Sequence, residues 1–134
     1  MTRRVLVIDD DPQIVRLCKA VLEERGDHVD VAANGKEALS KVVDGQPEIV
    51  ILDLMMPELD GFEIVEALSS TGVTRPRIVI MTAKSLTPQE QTYLESRVER
   101  IIHKGIDDLG ALLDEVMKNL EHRRARHDFG PQKP

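Results

Sequence analysis

Asp9, Asp10 and Asp11 stand in a row directly after an apolar run, Val5 to Ile8, and Asp53 directly follows another, Ile49 to Leu52. Thr82 closes a third run, Ile78 to Met81, and Lys104 closes the stretch VERIIHK. Carboxylates brought within a few ångströms of one another repel and raise one another's pKa, so a convergent acidic cluster calls for a cation. Oxygen ligands in an open, hydrated site suit Mg²⁺, with Mn²⁺ able to take its place. A carboxylate beside such an ion is placed to attack a phosphoryl donor and to carry the group as an acyl phosphate. A hydroxyl and an ammonium at the same rim would each bind an oxygen of that product.

The chemistry requires that these side chains meet, and the pattern of the chain predicts that they do. The four-residue apolar runs at Val5 to Ile8, Ile49 to Leu52 and Ile78 to Met81 are too short for helices and too continuous for strands with one wet face, so they read as buried parallel strands. Val29 to Ala33 and Val98 to Ile102 carry polar interruptions, as edge strands do. Between the strands, Ile14, Leu17, Cys18, Val21 and Leu22 recur at helical spacing, and so do Leu109, Leu112, Leu113, Val116, Met117 and Leu120. Asp11 with Pro12, Asn34 with Glu37, Asp60 with Glu63, and Thr87-Pro88 with Glu90 have the spacing of helix starts. Gly26, Gly45 and Gly72 fall where helices should stop. The alternation predicts an α/β fold, a flavodoxin-like (βα)5 doubly wound parallel sheet of strand order 2-1-3-4-5. In that order the crevice opens at the carboxyl ends of the first and third strands, where Asp9, Asp10 and Asp53 lie.

Composition narrows the field of functions. At 134 residues the chain suits one domain, with 41% hydrophobic and 31% charged residues. The domain is expected over residues 1–121, followed by a basic, frayed or disordered tail over 122–134, where apolar periodicity is lost. A net charge of −6 and the near absence of aromatic residues, no Trp, one Tyr and two Phe, argue against direct nucleic-acid binding. No apolar run approaches the roughly 20 residues of a membrane span, no secretory signal is visible, and the lone Cys18 cannot form an internal disulfide, so a cytoplasmic location is expected. The four histidines, His28, His103, His122 and His127, lack metal-ligand spacing.

The pieces VLVIDDDP, ILDLMMPELDGFE, MTAK and the lysine of IIHKG, in that order, resemble the receiver domains of two-component response regulators over about residues 3 to 121. The resemblance implies a response regulator receiver in phosphorelay signal transduction, a phosphoprotein that accepts a phosphoryl group from a sensor histidine kinase or a histidine phosphotransfer protein. It makes Asp53 the phosphoacceptor, and makes Asp10, Asp53 and the backbone carbonyl of Met55 the Mg²⁺ ligands, with Asp9 as an outer-sphere partner. Thr82 becomes the switch hydroxyl and Lys104 the phosphoryl-binding cation. The family is not a set of enzymes in the ordinary sense: its members are switches that catalyse their own phosphorylation and dephosphorylation and then change affinity for a downstream protein. Two positions depart from the family pattern. Gly105 follows Lys104 where proline is usual, so a trans peptide is expected, and Ile101 replaces the usual Tyr or Phe, so no aromatic rotamer can report phosphorylation.

Other classes fit less well. The stretch TAKSLTPQEQTYLESRVERIIHKG is similar to receivers fused to histidine kinases, so a module of a hybrid kinase is an alternative origin. A phosphatase with an Asp nucleophile would want a second acid two residues beyond Asp53, and Met55 stands there. Flavin binding suits the fold, but DDD at the end of the first strand repels phosphate. Met55 and Lys84, two residues beyond Asp53 and Thr82, offer no strong acceptor to orient a hydrolytic water, which predicts slow loss of the phosphoryl group.

Overall fold

The computed structural model describes residues 3–69 and 76–128, with side chains through residue 121. In chain order its elements are β1 (Arg4–Ile8), α1 (Pro12–Glu24), β2 (His28–Ala32), α2 (Gly35–Gly45), β3 (Ile49–Leu52), β4 (Met55–Met56), β5 (Leu59–Asp60), α3 (Gly61–Ser69), β6 (Arg77–Thr82), α4 (Pro88–Glu95), β7 (Arg100–His103) and α5 (Leu109–Asp128). The main sheet has five strands in the order β2-β1-β3-β6-β7, and every pairing in it is parallel. With the β4–β5 hairpin set aside, this is the expected order 2-1-3-4-5, and the two interrupted stretches are its edges.

Alternation along the strands builds two cores. Leu6 and Ile8 of β1 face one side with Val50, Leu52, Ile78 and Ile80, against Ala38 of α2, Ile64, Val65 and Leu68 of α3 and Leu94 of α4. Val5 and Val7 face the other with Ile49, Ile51, Val79 and Met81, against Cys18 and Leu22 of α1 and Leu113, Val116, Met117 and Leu120 of α5. Each fully buried Val, Leu, Ile or Met side chain among these contributes about 1.5–3 kcal/mol. That burial on both faces is what fixes the strand ends, and with them the site. Cys18 is completely buried, with Sγ 4.0 Å from Met81 Sδ, and burial pushes its thiol up to about 12.

Most helix starts fall where the capping signals put them. Asp11 accepts the Gln13 N–H at 2.9 Å ahead of Pro12, Asn34 accepts the Glu37 N–H at 2.8 Å, and Thr87 forms a reciprocal capping box with Glu90. Gly26 has φ +89°, and its N–H and that of Asp27 close onto the carbonyls of Glu23 and Leu22. The stop near Gly45 differs by one position, because the left-handed residue is Gln46 at φ 47°, with Pro47 behind it to prevent continuation. The stop expected at Gly72 lies outside the described residues. β7 begins at Arg100 and not at Val98, because the N–H groups of Arg97 and Val98 are spent on the Leu94 carbonyl at the end of α4. α5 continues through residue 121, where the sequence puts the domain boundary, to Asp128.

The β4–β5 hairpin had no clear sequence signal. Met55 pairs with Asp60 and Met56 with Leu59 around Pro57-Glu58, and Glu58 takes φ 59°. A turn that needs positive φ usually shows Gly or Asn there, and glutamate hides it. Behind the hairpin, a Cβ on Gly61 would meet the Leu54 Cα at 2.6 Å, so only glycine lets α3 start against the residue that follows Asp53. Gly61→Ala is therefore expected to lose about 1–3 kcal/mol by overpacking against backbone. Urea unfolding should show a lower midpoint with an unchanged slope, and an unchanged midpoint would contradict the close approach.

Candidate functional site

β1 and β3 are adjacent and parallel, with Ile8 opposite Leu52, so the residues just beyond them share one end of the sheet. The backbone N–H of Asp53 reaches the Ile8 carbonyl at 3.0 Å, and that of Asp9 reaches the Ala32 carbonyl at 3.1 Å. Both carboxylates are thereby locked at strand ends, 3% and 5% exposed for Asp9 and Asp53, while Asp10 is exposed beside them. Each of Asp9, Asp10 and Asp53 presents a carboxylate oxygen within 4.8 Å of the others. Asp11 turns away as the cap of α1, as its type and place predict.

Lys104 enters from the opposite side. Its backbone N–H donates to the Thr82 carbonyl at 2.9 Å, which carries the chain past the end of β7, and the Lys104–Gly105 peptide is trans. The ammonium then bridges two carboxylates, 2.9 Å from Asp9 Oδ2 and 3.1 Å from Asp53 Oδ2. The other oxygens have backbone donors: Asp9 Oδ1 accepts the Asp11 N–H at 2.9 Å, and Asp53 Oδ1 accepts the Met55 N–H at 3.0 Å. Sequence placed Lys104 at the rim. Its simultaneous grip on Asp9 and Asp53 was not legible, because it depends on the reach of a flexible side chain.

The electrostatics follow from burial against charge. Desolvation raises the Asp9 carboxyl above its ordinary value, and the nearby Asp53 charge adds to that; the Asp11 N–H and Lys104 oppose it without overcoming it. Burial alone would lower the Lys104 ammonium, but its hydrogen bonds to Asp9 and Asp53 and their charges prevail and raise it. Three carboxylates against one ammonium leave a formal charge of −3 + 1 = −2. That excess, on oxygen ligands with one exposed member, fits a divalent oxygen-loving cation such as Mg²⁺ and gives no foothold to a soft metal.

Thr82 is fully buried at the end of β6, and its Oγ1 accepts the Lys84 N–H at 3.1 Å, which leaves the hydroxyl proton free to donate. Met55 is 57% exposed, while its N–H serves Asp53. Lys84 points along the surface to Glu90, with Nζ 3.5 Å from Oε2. The arrangement can hold a divalent cation, present a carboxylate nucleophile beside it, and offer a hydroxyl and an ammonium to a transferred anionic group.

Comparison with known proteins agrees with this geometry. The family model described as the response regulator receiver domain matches residues 5–117. The response regulator MprA of Mycobacterium sp. (strain KMS) is 32% identical, with 100% of this chain matched to 56% of that protein. The alkaline phosphatase synthesis transcriptional regulatory protein PhoP of Bacillus subtilis (strain 168) is 39% identical over 84 residues, which cover 63% of this chain and 35% of that protein. The chain thus spans about half or less of the length of these curated relatives. Among solved structures, the response regulator TrrA of Thermotoga maritima in complex with Mg²⁺-BeF has a TM-score of 0.72 at 30% identity, covering 90% of this chain and 97% of that one. The signal receiver domain of a Luxo repressor protein from Vibrio parahaemolyticus has a TM-score of 0.81 over 98% of this chain and 100% of that one; at 18% identity it speaks for the fold alone.

Proposed function

We propose, since this chain belongs to the response regulator receiver domain family, that it is a two-component signalling switch in which Asp53 accepts a phosphoryl group. The observation that carries the proposal is the Lys104 ammonium held against both Asp9 and Asp53 inside an acidic pocket with a free hydroxyl proton at its edge. The donor is a phosphohistidine on a histidine kinase or a histidine phosphotransfer protein. A carboxylate oxygen of Asp53 attacks phosphorus in line, the P–N bond breaks, and its electron pair leaves with the imidazole. The acyl phosphate on Asp53 is then held by the Lys104 ammonium and the Thr82 hydroxyl, each donating to a phosphoryl oxygen.

Asp10, Asp53 and the Met55 carbonyl would hold Mg²⁺, with Asp9 as an outer-sphere partner, and a bound ion would supply neutralisation of charge on the nucleophile and on the transferred group. The Mg²⁺-BeF complex of the Thermotoga relative supports that choice. On this reading the chain promotes its own phosphorylation and, slowly, its own dephosphorylation, and Met55 stands where an Asp-nucleophile phosphatase would want a second acid. We assign the domain to residues 1–121 and a basic tail to 122–134, a cytoplasmic location, and a downstream protein partner. Among the described residues no helix is long and apolar enough to cross a membrane.

Intact-mass measurement after incubation with phosphoramidate tests the proposal. One phosphoryl group should appear only when Mg²⁺ or Mn²⁺ is present. Equal uptake in a chelator would remove the metal from the mechanism, and no uptake under any condition would remove the function.

A further inference from the structure

Lys84 is engaged at both ends. Its backbone N–H donates to Thr82 Oγ1 at 3.1 Å, and its ammonium lies 3.5 Å from Glu90 Oε2. Glu90 is the third residue of α4, where its carboxylate accepts the Thr87 N–H at 3.0 Å and its own N–H donates to Thr87 Oγ1 at 3.1 Å. One residue therefore joins the hydroxyl of the site to the first turn of α4. That helix is otherwise lightly attached, with Leu94 its only buried side chain. Its other hold is Tyr93: the phenol donates to Glu66 of α3 at 2.6 Å, the ring centroid is 6.2 Å from that of Phe62, and the Arg97 guanidinium lies 3.9 Å over the ring. Ile101, half-buried on β7, has neither a ring nor a hydroxyl with which to report a change at Thr82.

Taking Asp53 as the phosphoacceptor, as proposed above, we infer that Lys84 is the positioning residue that carries phosphorylation to α4, by exchanging Glu90 for the phosphoryl group. Thr82 Oγ1 accepts from Lys84 while keeping its proton to donate, so when the hydroxyl turns to a phosphoryl oxygen the Lys84 backbone follows. The ammonium then chooses between a carboxylate of charge −1 and a phosphoryl group of about −1.5 to −2. With side chains 30% and 29% exposed, the Lys84–Glu90 pair is a solvated one that is cheap to give up. Once it is given up, Glu90 no longer ties the first turn of α4 to the Lys84 side chain, and that turn is connected to the displaced Thr82 loop through Thr87, which the capping box still holds to Glu90. The loop carries Thr87 with it, and the seat of α4 on α3 changes at Tyr93.

Tyr93 is the only tyrosine and there is no tryptophan, so intrinsic emission reports this seat alone. Wild type, Lys84→Met, Lys84→Arg and Glu90→Gln should be treated with phosphoramidate and Mg²⁺, their occupancy measured by intact mass, and the change in Tyr93 emission expressed per bound phosphoryl group. Wild type and Lys84→Arg should show the change, and Lys84→Met should show it reduced about fivefold or more at equal occupancy. Glu90→Gln keeps the capping geometry, since glutamine serves there too, and its unphosphorylated emission should already lie toward the phosphorylated value. A full wild-type change per phosphoryl group in Lys84→Met, or wild-type emission of Glu90→Gln in both states, would overturn the inference while leaving the function standing. Absence of uptake by wild type would overturn both, and the mass shows that before any emission is read.

Discussion

Asp53→Ala protein incubated with acetyl phosphate and Mg²⁺ should gain no phosphoryl group, where wild type should gain one per chain. On the proposed function the side chain supplies the nucleophilic oxygen, and its neighbours are poorly placed to replace it. Asp9 is one alternative, but its Oδ2 is held by Lys104 and its Oδ1 by the Asp11 N–H, and it lies one strand away. Asp10 is exposed to water, which would hydrolyse any acyl phosphate formed there. Removing Asp53 leaves the Asp9–Lys104 pair intact, so the variant should fold, and unfolding curves can separate lost chemistry from lost structure. Intact mass and hydroxylamine sensitivity read the outcome. Labelling of Asp53→Ala as fast and as complete as in wild type would end the assignment.

Lys104→Met should move metal binding and phosphorylation in opposite directions. In the absence of metal the ammonium already satisfies Asp9 and Asp53, so an arriving Mg²⁺ must share oxygens with a cation that does not leave. Taking away that unit of positive charge changes the pocket from −2 to −3, and a relief of about 1.4 kcal/mol would tighten Mg²⁺ binding about tenfold. The same change removes a charged donor from the phosphoryl group, a loss of about 3 kcal/mol in the transition state and about a hundredfold in rate. Stability follows the same charges. The raised Lys104 value means its contribution is complete below the ordinary lysine pKa and lost only as pH rises through the higher folded value, so it is fully present at neutral pH. The raised Asp9 value runs the same way with pH but is a cost at neutral pH: its ionisation costs stability there, and the cost is relieved as pH falls through the raised value and gone below the ordinary carboxylate range. Lys104→Met should therefore melt lower without metal, and Mg²⁺ should raise its melting temperature more than that of wild type. Isothermal titration and thermal melts in both conditions check this, and weaker Mg²⁺ binding by the variant would refute it.

The architecture was legible because burial on both faces leaves continuous apolar runs, and three such runs with two interrupted ones permit few parallel orders. The placement of the candidate site's residues was legible for the same reason: Asp9, Asp53 and Lys104 each follow a strand, and Thr82 ends one. What sequence could not convey were features set by side-chain reach or by disguised backbone. Lys104 spans from β7 to both β1 and β3, a distance no spacing along the chain encodes. The β4–β5 turn and the cap of α5 place Glu58 and Asp108 at φ 59° and 53°, where a glycine would have announced the bend. Glu90 looked like a capping residue and is one, but its second oxygen also holds Lys84, and no one-dimensional pattern marks a residue that serves two partners.

Cys18 sits at the interface that seals α1 to the sheet, at zero exposure and with its thiol far from ionised. A thiolate-seeking reagent finds nothing to react with while that interface is closed, so each modification counts one escape of α1 from the sheet. The molecule carries its own single-shot recorder. Its rate, read with and without the phosphoryl group and the metal, separates tightening of the α1–α5 side of the sheet from rearrangement on the α3–α4 side, where the sole tyrosine keeps a separate record.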